Sequence, residues 1–381
     1  MPSFYEFFAG GGMARAGLGA GWDCLFANDM DLKKGTSYAK NWGKAHLKIA
    51  DVRALTAADL PSPAPLAWAS FPCQDLSLAG DYVGLKGERS GTFWPFWRLM
   101  RSLASEGRSP SVIVLENVCG ALTSHGGKDF AAIGDALVEG GYRFGAVVMD
   151  AVRFLPQSRP RLFIVAIEER APLPVGLVAT AGAAAWHPEN LICAYKQLSR
   201  RSKAAWLWWS MPLPPARKTA FGDVIEEEPH GVEWHTAAET RRLLDMMSPI
   251  NREKVEKAKR TRRRMVGALY KRTRVDENGV RKQRAEVRFD DVAGCLRTPV
   301  GGSSRQSIML VEGEKVRSRL LSPREAARLM GLPDTYKLPA NYNEAYHLAG
   351  DGVAVPVVRH LAEHVLEPLI ARVMADREEA A

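Results

Sequence analysis

Cys73 stands in Phe71-Pro72-Cys73-Gln74, directly after the apolar run Leu66-Ala67-Trp68-Ala69-Ser70. A Pro-Cys pair in that place lifts a thiol off the end of a strand, where an open α/β sheet carries its chemistry. A second apolar run, Val112-Ile113-Val114-Leu115, leads into Glu116-Asn117-Val118. A thiol and a carboxyl at neighbouring strand ends suit a nucleophile with an acid beside it. A different chemistry is offered by Phe8-Ala9-Gly10-Gly11-Gly12, which follows the first apolar run and opens a helix near Met13. Glycines there let a ligand approach the backbone and the helix N-terminus. Asp29 lies nineteen residues after Gly10, at the end of a second strand, from where an acid can bond ribose hydroxyls. Asp51, after Leu47-Lys48-Ile49-Ala50, is placed to accept from an exocyclic amine. The phosphate-loop pattern GxxxxGK[ST] is absent, which disfavours nucleotide hydrolysis and favours a nucleoside-bearing cofactor without a phosphate site.

The elements that must carry these residues alternate over 3–167. Strands are expected at 3–8, 23–27, 66–70, 111–115, 142–149 and 161–167, with helices between them such as 92–105 and 129–139. This alternation predicts a mostly parallel sheet. The stretch 171–186, rich in Ala, Gly and Pro, reads as a linker. Residues 251–288 carry fifteen Lys or Arg against five Asp or Glu, a surplus of ten that exceeds the +9 of the whole chain. The basic charge is therefore local, and it reads as a surface for phosphates. Apart from 265–270 this segment has little apolar periodicity, so a solvated helix face or a disordered insert is the alternative. Order returns at Ser322-Pro323-Arg324-Glu325, a capping box with Pro at the first helical position. A last helix is expected from about Val353, with Val357, Val358, Leu361, Val365 and Leu369 as one buried stripe. Five cysteines without a CxxC pair argue against a zinc site or a disulfide framework and suit a reducing, cytoplasmic setting. No signal-type or membrane-length apolar run is present.

Seven motifs then stand in order: Phe8-Ala9-Gly10-Gly11-Gly12, Phe71-Pro72-Cys73-Gln74, Arg89-Ser90-Gly91-Thr92, Glu116-Asn117-Val118, Gln157-Ser158-Arg159-Pro160-Arg161, the segment 321–333, and Gly350-Asp351-Gly352-Val353. In them the chain resembles the C5-cytosine DNA methyltransferases of bacteria and phages, over nearly its whole length except the variable middle. The resemblance implies an α/β fold of the class I S-adenosylmethionine-dependent methyltransferase type, Rossmann-like with a mostly parallel sheet. It also implies a smaller inserted target-recognition domain. The expected division is a catalytic and cofactor domain over 1–170, the recognition domain over 171–314, and a return to the first domain over 315–381. The implied cofactor is S-adenosyl-L-methionine. Phe8 would contact its adenine, with the loop at Gly10 and Gly12 beneath it, Asp29 on the ribose, Met30 beside the adenine, Asp51 and Val52 at the adenine amine, and Val353 closing the pocket. Four positions depart from the family pattern: Glu6 replaces a usual Asp, Met13 a common Gly, Met30 a stacking aromatic, and Gly352 a small polar residue.

Under the same resemblance Cys73 would add to carbon 6 of cytosine. Addition turns the ring into an enamine-like species whose carbon 5 attacks a methyl sulfonium. Gln74 belongs to the nucleophile's motif. Glu116 would neutralise the charge at N3, which requires a raised carboxyl pKa. Arg161 would supply positive charge for the thiolate and hold the O2 edge, supported by Arg159. No side chain declares itself as the base that removes the carbon 5 proton. A ring face inside a duplex is out of reach, so the base must be flipped out. The loop 77–89, with Ser77 and Arg89, and the segment 288–306, with Arg297, Arg305 and Gln306, are the candidates to fill the gap and read sequence. Double-stranded DNA is the expected partner, bound by a monomer, with no membrane and no metal. A cognate restriction endonuclease is a further partner the resemblance raises. The same chemistry on RNA, or a DNA-binding homologue without catalysis, are the competing functions. Amino-methylating enzymes carry [DNS]PP[YFW], whereas the one Pro-Pro here, Pro214-Pro215, follows Leu213.

Overall fold

The computed structural model describes residues 1–72, 91–275, 279–296 and 305–380. Seven strands form one sheet: β1 (Ser3–Phe7), β2 (Asp23–Asp29), β3 (Leu47–Ile49), β4 (Leu66–Ala69), β5 (Val112–Val118), β6 (Tyr142–Asp150) and β7 (Pro160–Glu168). Their order is β3-β2-β1-β4-β5-β7-β6. The first five in that order run parallel, and β7 is antiparallel to both its neighbours. This is the mostly parallel sheet that the alternation predicts. The chain leaves β1 in one direction and returns in the other at β4, so the C-terminal ends of those two strands flank a crevice suited to a ligand. Leu66, Ala67, Trp68 and Ala69 of β4 are all fully buried, as a central strand covered on both faces must be.

Helices α1 (Met13–Leu18), α2 (Leu32–Trp42), α3 (Phe93–Ser105) and α4 (Lys128–Glu139) follow strands of this sheet. Asp31 starts α2 by accepting from the Lys33 and Lys34 backbone N–H groups, and Gly43 ends it. Helix α3 buries Phe93, Phe96, Trp97, Met100 and Leu103 at helical spacing. Phe96 meets Phe7 of β1 edge-on at 5.1 Å, which couples the start of α3 to the strand beneath the glycine loop.

The chain forms two compact units: Met1–Asp150 with Pro160–Pro214 and Val357–Ala381, and Ala151–Arg159 with Pro215–Pro356. These limits differ from the expected 1–170, 171–314 and 315–381. Residues 171–214, expected as linker and insert, pack on the first unit through α5 (Glu189–Gln197), α6 (Arg200–Ala204) and the short pair β8 (Val178–Ala179) and β9 (Trp208–Trp209). The anchors are aromatic: Trp186 and Trp209 are almost fully buried, and the Trp209 indole N–H donates to the Val165 carbonyl at 3.2 Å. The Leu207 N–H donates to Phe144 O at 2.7 Å.

The second unit is built on a four-stranded antiparallel sheet, β10 (Met265–Val275), β11 (Arg281–Arg288), β12 (Ser307–Glu312) and β13 (Lys315–Leu320), in the order β11-β10-β12-β13. Helices α7 (Ala237–Asp245) and α8 (Pro249–Arg260) cover one face, burying Leu243, Met247, Val255, Ala258, Leu269, Ala285 and Val287 together. The described part of the basic segment is thus mostly helix and strand, in α8, β10 and β11. Helix α9 (Pro323–Leu329) begins with the expected box: Ser322 accepts from the Glu325 N–H at 3.1 Å and Glu325 from the Ser322 N–H at 2.7 Å. The same carboxylate takes two hydrogen bonds from Arg319, at 2.6 and 2.8 Å, with both side chains fully buried. Helix α10 (Tyr342–Asp351) precedes the Gly350–Val353 motif's end. Helix α11 (Val355–Leu361) passes into the first unit at Val357, and α12 (Glu367–Ala380) completes it. Val357, Val358, Leu361, Val365 and Leu369 are all buried, the stripe that their spacing predicts. Among the described residues no helix is long and apolar enough to cross a membrane.

Candidate active site and cofactor pocket

At the C-terminal edge of the sheet Phe8 leaves β1 with a φ of 57° and Gly10 and Gly12 follow at 55° and 76°. Positive φ at a phenylalanine is costly and marks a backbone held for a purpose. Gly12 is required twice over, since a Cβ there would also run into the Trp42 indole. The Trp42 indole N–H donates to the Gly11 carbonyl at 3.0 Å and ties the loop to α2. The Arg15 guanidinium lies over the Trp42 ring at 5.1 Å and donates to the Tyr38 hydroxyl at 3.0 Å. Below them Glu6 is 1 % exposed and accepts from the Arg15 backbone N–H at 3.2 Å. Burial pushes the Glu6 carboxyl up to about 8, with Arg15 opposing the shift.

Asp29 holds the loop from the side. One carboxylate oxygen accepts from the Gly10 N–H and the other from the Asp31 N–H, both at 2.8 Å. Each carboxylate oxygen has a second lone pair, so Asp29 can also accept from a vicinal diol placed above the loop. Asp51 accepts from the Arg53 N–H through Oδ1 at 2.9 Å, while its Oδ2 lies 3.8 Å from the Arg53 guanidinium. Asn28, 1 % exposed, donates to Lys48 O at 3.0 Å and Ala50 O at 2.8 Å, and so fixes the end of β3 against β2.

Phe8, Asn28, Met30, Ala50, Asp51, Val52, Arg53 and Thr92 line an open pocket with a cavity volume of about 150 Å³. Phe8, Met30, Asp51 and Val52 are residues that the sequence singled out. Asn28, Ala50, Arg53 and Thr92 are additions; Thr92 closes the quoted Arg89-Ser90-Gly91-Thr92 motif, and Asn28 immediately precedes the flagged acid. The Thr92 hydroxyl is buried and has no hydrogen-bond partner among the described residues. It stands at the N-terminus of α3, where unpaired N–H groups add positive potential. The residues present fit a nucleoside-bearing ligand with an anionic end: an aromatic face, two acids with acceptor sites to spare, and an orphaned hydroxyl.

The second part of the site lies along β4, β5 and β7. Cys73, Gln74, Ser77, Arg89 and Arg297 lie outside the described residues. The chain is described up to Pro72, and the Asn117 side-chain amide donates to the Phe71 carbonyl at 3.0 Å. Asn117 therefore ties β5 to the residue two before the cysteine, a contact that the Glu116-Asn117-Val118 sequence does not signal. Its neighbour Glu116 is 7 % exposed and sits 3.3 Å from Arg161 Nε across the pair of β5 and β7. A buried carboxyl and a partly buried guanidinium thus meet across the β5 and β7 pair. Among the described cysteines, burial pushes Cys24 up to about 11 and Cys119 upward as well, so both favour the thiol form.

Arg159 was expected to support Arg161. It belongs to the second unit, where it is 2 % exposed and donates to the Gly350 and Gly352 carbonyls at 2.7 and 2.6 Å, and to the Cys295 thiol at 3.2 Å. It therefore braces the Gly350-Asp351-Gly352 turn. Val353 is buried in that unit. Gln306 was expected to reach a base edge, but it is 2 % exposed, with its backbone N–H donating to the Tyr346 hydroxyl at 3.1 Å. It lies beneath the surface because β12 begins beside it. Arg305 is half-buried, bonded to Asn343 and stacked 5.3 Å over Tyr342.

A family model for the C-5 cytosine-specific DNA methylases matches residues 3–367. The Type II methyltransferase M.NlaX of Neisseria lactamica is 25 % identical over 99 % of this chain and all of the relative. M.HhaI of Haemophilus parahaemolyticus, also a Type II methyltransferase, is 24 % identical over 95 % of the chain and 93 % of its own length. Among solved structures, the S. pombe Dnmt2 methyltransferase superposes with a TM-score of 0.57 at 18 % identity, covering 97 % of this chain and 99 % of that one. A DNA modification methyltransferase encoded within an E. coli prophage gives 0.57 at 16 % identity over 97 % of this chain. At such identities the superpositions speak for the fold, which is the class I methyltransferase sheet with one antiparallel strand, β7, between β5 and β6.

Proposed function

This chain belongs to the C-5 cytosine-specific DNA methylase family, and from that premise we propose that it methylates carbon 5 of one cytosine within a fixed duplex sequence, through a covalent adduct of Cys73. The observation that carries the reading is the Asn117 bond to Phe71, with the Glu116 and Arg161 pair one residue away. It brings an acid, a cation and the approach to the thiol to one strand edge, beside the pocket lined by Phe8, Asp51 and Thr92.

S-adenosyl-L-methionine, when bound, supplies an electrophilic methyl group on sulfur. Asp29 and Asp51 would hold its ribose and adenine amine, and the N-terminus of α3 with Thr92 suits its carboxylate. The Cys73 sulfur adds to carbon 6 of the flipped cytosine, and Glu116 delivers a proton to N3, so that no ring anion accumulates. Arg161 keeps Glu116 oriented and offers its remaining donors to the O2 edge. After transfer, water takes the carbon 5 proton, the thiolate leaves carbon 6, and N3 returns its proton to Glu116, which restores the neutral aromatic ring. The Type II names of the relatives support action at a defined sequence, and leave a restriction endonuclease as a reasonable companion.

Bisulfite sequencing of DNA and RNA from a host expressing the protein tests this reading, with an empty-vector host as control. A single DNA motif whose cytosine is protected from conversion is expected, and the same cytosine should convert in a Cys73→Ser host. Methylation confined to RNA, or persisting in the variant, would overturn it.

A further inference from the structure

Beyond Leu269, where β12 stops pairing with it, β10 continues from Tyr270 to Val275 with β11 as its strand partner among the described residues. At about 3.4 Å per residue this two-stranded ribbon runs about 17 Å past the sheet. Residues directly opposite in an antiparallel pair share a face, with Cβ atoms about 4.5–5.5 Å apart. On one face of the ribbon Arg272 stands opposite Arg284, and Arg274 opposite Lys282. Like charges in that relation destabilise a sheet. The only acid on this face among the described residues is Glu286, which pairs with Arg274 at 2.6 Å and Arg272 at 3.6 Å. Arg272 and Arg274 remain about half exposed, at 48 % and 53 %. The acids of the connection, Asp276 and Glu277, lie outside the described residues.

The opposite face is of another kind. It carries Lys271 opposite Ala285, Thr273 opposite Gln283 and Val275 opposite Arg281, and Ala285 is buried in the core that α7 and α8 cover. Its two cations each face an uncharged residue, so the cross-strand cation pairs belong to the first face alone. Four cationic side chains share this face with one carboxylate among the described residues, so the stripe is net positive, and a duplex presents one negative charge per about 1.7 Å of its axis. A two-stranded ribbon is also narrow enough for a major groove about 12 Å wide.

We propose that the stripe of Arg272, Arg274, Lys282 and Arg284 is a phosphate clamp: it grips the DNA backbone irrespective of sequence and sets how strongly the enzyme holds duplex. The inference deepens the proposed function and rests on duplex DNA being the substrate. The repulsion between its paired cations is the structural cost of that grip.

The test is a fluorescence-anisotropy titration of the full chain with a 30-base-pair duplex lacking any methylated site, at salt from 50 to 300 mM. Arg272→Thr with Arg284→Thr removes one cross-strand pair and leaves a favourable Thr pair. The slope of log affinity against log salt should shrink by about 2, at about 0.9 per phosphate lost. Affinity at 0.1 M salt should fall on the order of tenfold to a hundredfold. The melting temperature should hold or rise, and the methylated motif should not change. A slope equal to wild type, or a changed motif, would overturn the clamp. Lys282→Glu, which sets an acid opposite Arg274, gives the same reading if the Thr pair does not fold: the slope must again fall while the ribbon is stabilised. Binding is scored separately from methylation. A wild type that binds duplex steeply but methylates only RNA refutes the proposed substrate and leaves the clamp to be judged by its slope.

Discussion

Glu6→Gln isolates the electrostatic strain under the cofactor loop. Glu6 is buried, its carboxyl is raised to about 8, and the largest cause is desolvation. Its Oε1 accepts from the Arg15 N–H, so the strain sits at the first turns after the glycine loop. Below pH 4.5 the folded and unfolded chains both hold the proton. Between pH 4.5 and about 8 the folded chain keeps a proton that the unfolded chain has lost, so stability falls as pH rises. Above about 8 both are ionised and the penalty is constant. At about 1.4 kcal/mol per pH unit, that interval is worth on the order of 5 kcal/mol. Water entering beside the ionised carboxyl trims the measurable part to about 2–5 kcal/mol. Gln has the shape of the protonated acid and does not titrate. Urea unfolding of both proteins at pH 5.5, 7 and 8.5 should show Glu6→Gln gaining on the wild type up to about pH 8, with the gap then level. Parallel pH profiles would refute the burial argument, and a variant that loses ground with rising pH would reverse its sign.

Three further outcomes follow from single contacts. Asn117→Ala removes the tether on Phe71; turnover should fall about 10- to 100-fold, as expected when a reactive group loses its alignment, while cofactor affinity by calorimetry stays within about twofold. Asp29→Ala removes acceptors for the Gly10 and Asp31 N–H groups and for a ribose diol; at about 1.5–3 kcal/mol for bonds to a charged group, S-adenosylmethionine should bind about 10- to 100-fold more weakly in the same assay. Arg319→Met strands the buried Glu325 carboxylate; it should cost about 3–5 kcal/mol in unfolding, with Arg319→Met plus Glu325→Leu recovering part of that loss.

How much of this was legible in the residues depended on whether a local pattern sufficed. The central strands declared themselves because β4 and β5 are buried on both faces and read as unbroken apolar runs. The offset of Asp29 from Gly10 marked the crevice because strand and helix lengths between them are tightly limited. Residues 171–214 were misread because their anchors, Trp186, Leu207 and Trp209, follow no period and dock across a long sequence gap. The β10 and β11 ribbon gave no apolar alternation because beyond Tyr270 it leaves the sheet, and charge alone could not tell an ordered arm from a solvated tail. Gln306 looked available for a groove, yet it is buried where β12 begins, with its backbone N–H held by Tyr346, forty residues on. Arg159 and Arg161 share one motif, but adjacent strand and turn geometry sends one to the Gly350 carbonyl and the other to Glu116. Asn117 carried no signal of its own, since only the pairing of β4 with β5 brings it to Phe71.

The covalent role of Cys73 is tested most directly with a duplex whose target cytosine carries fluorine at carbon 5. After methyl transfer no proton remains there to be lost, so elimination is blocked and the enzyme should stay joined to the DNA. Intact mass spectrometry should show one duplex strand plus one methyl group added to the chain in the presence of S-adenosylmethionine, and peptide mapping should place it on Cys73. No adduct from an enzyme that methylates the unmodified duplex, or an adduct on any other residue, would contradict the account.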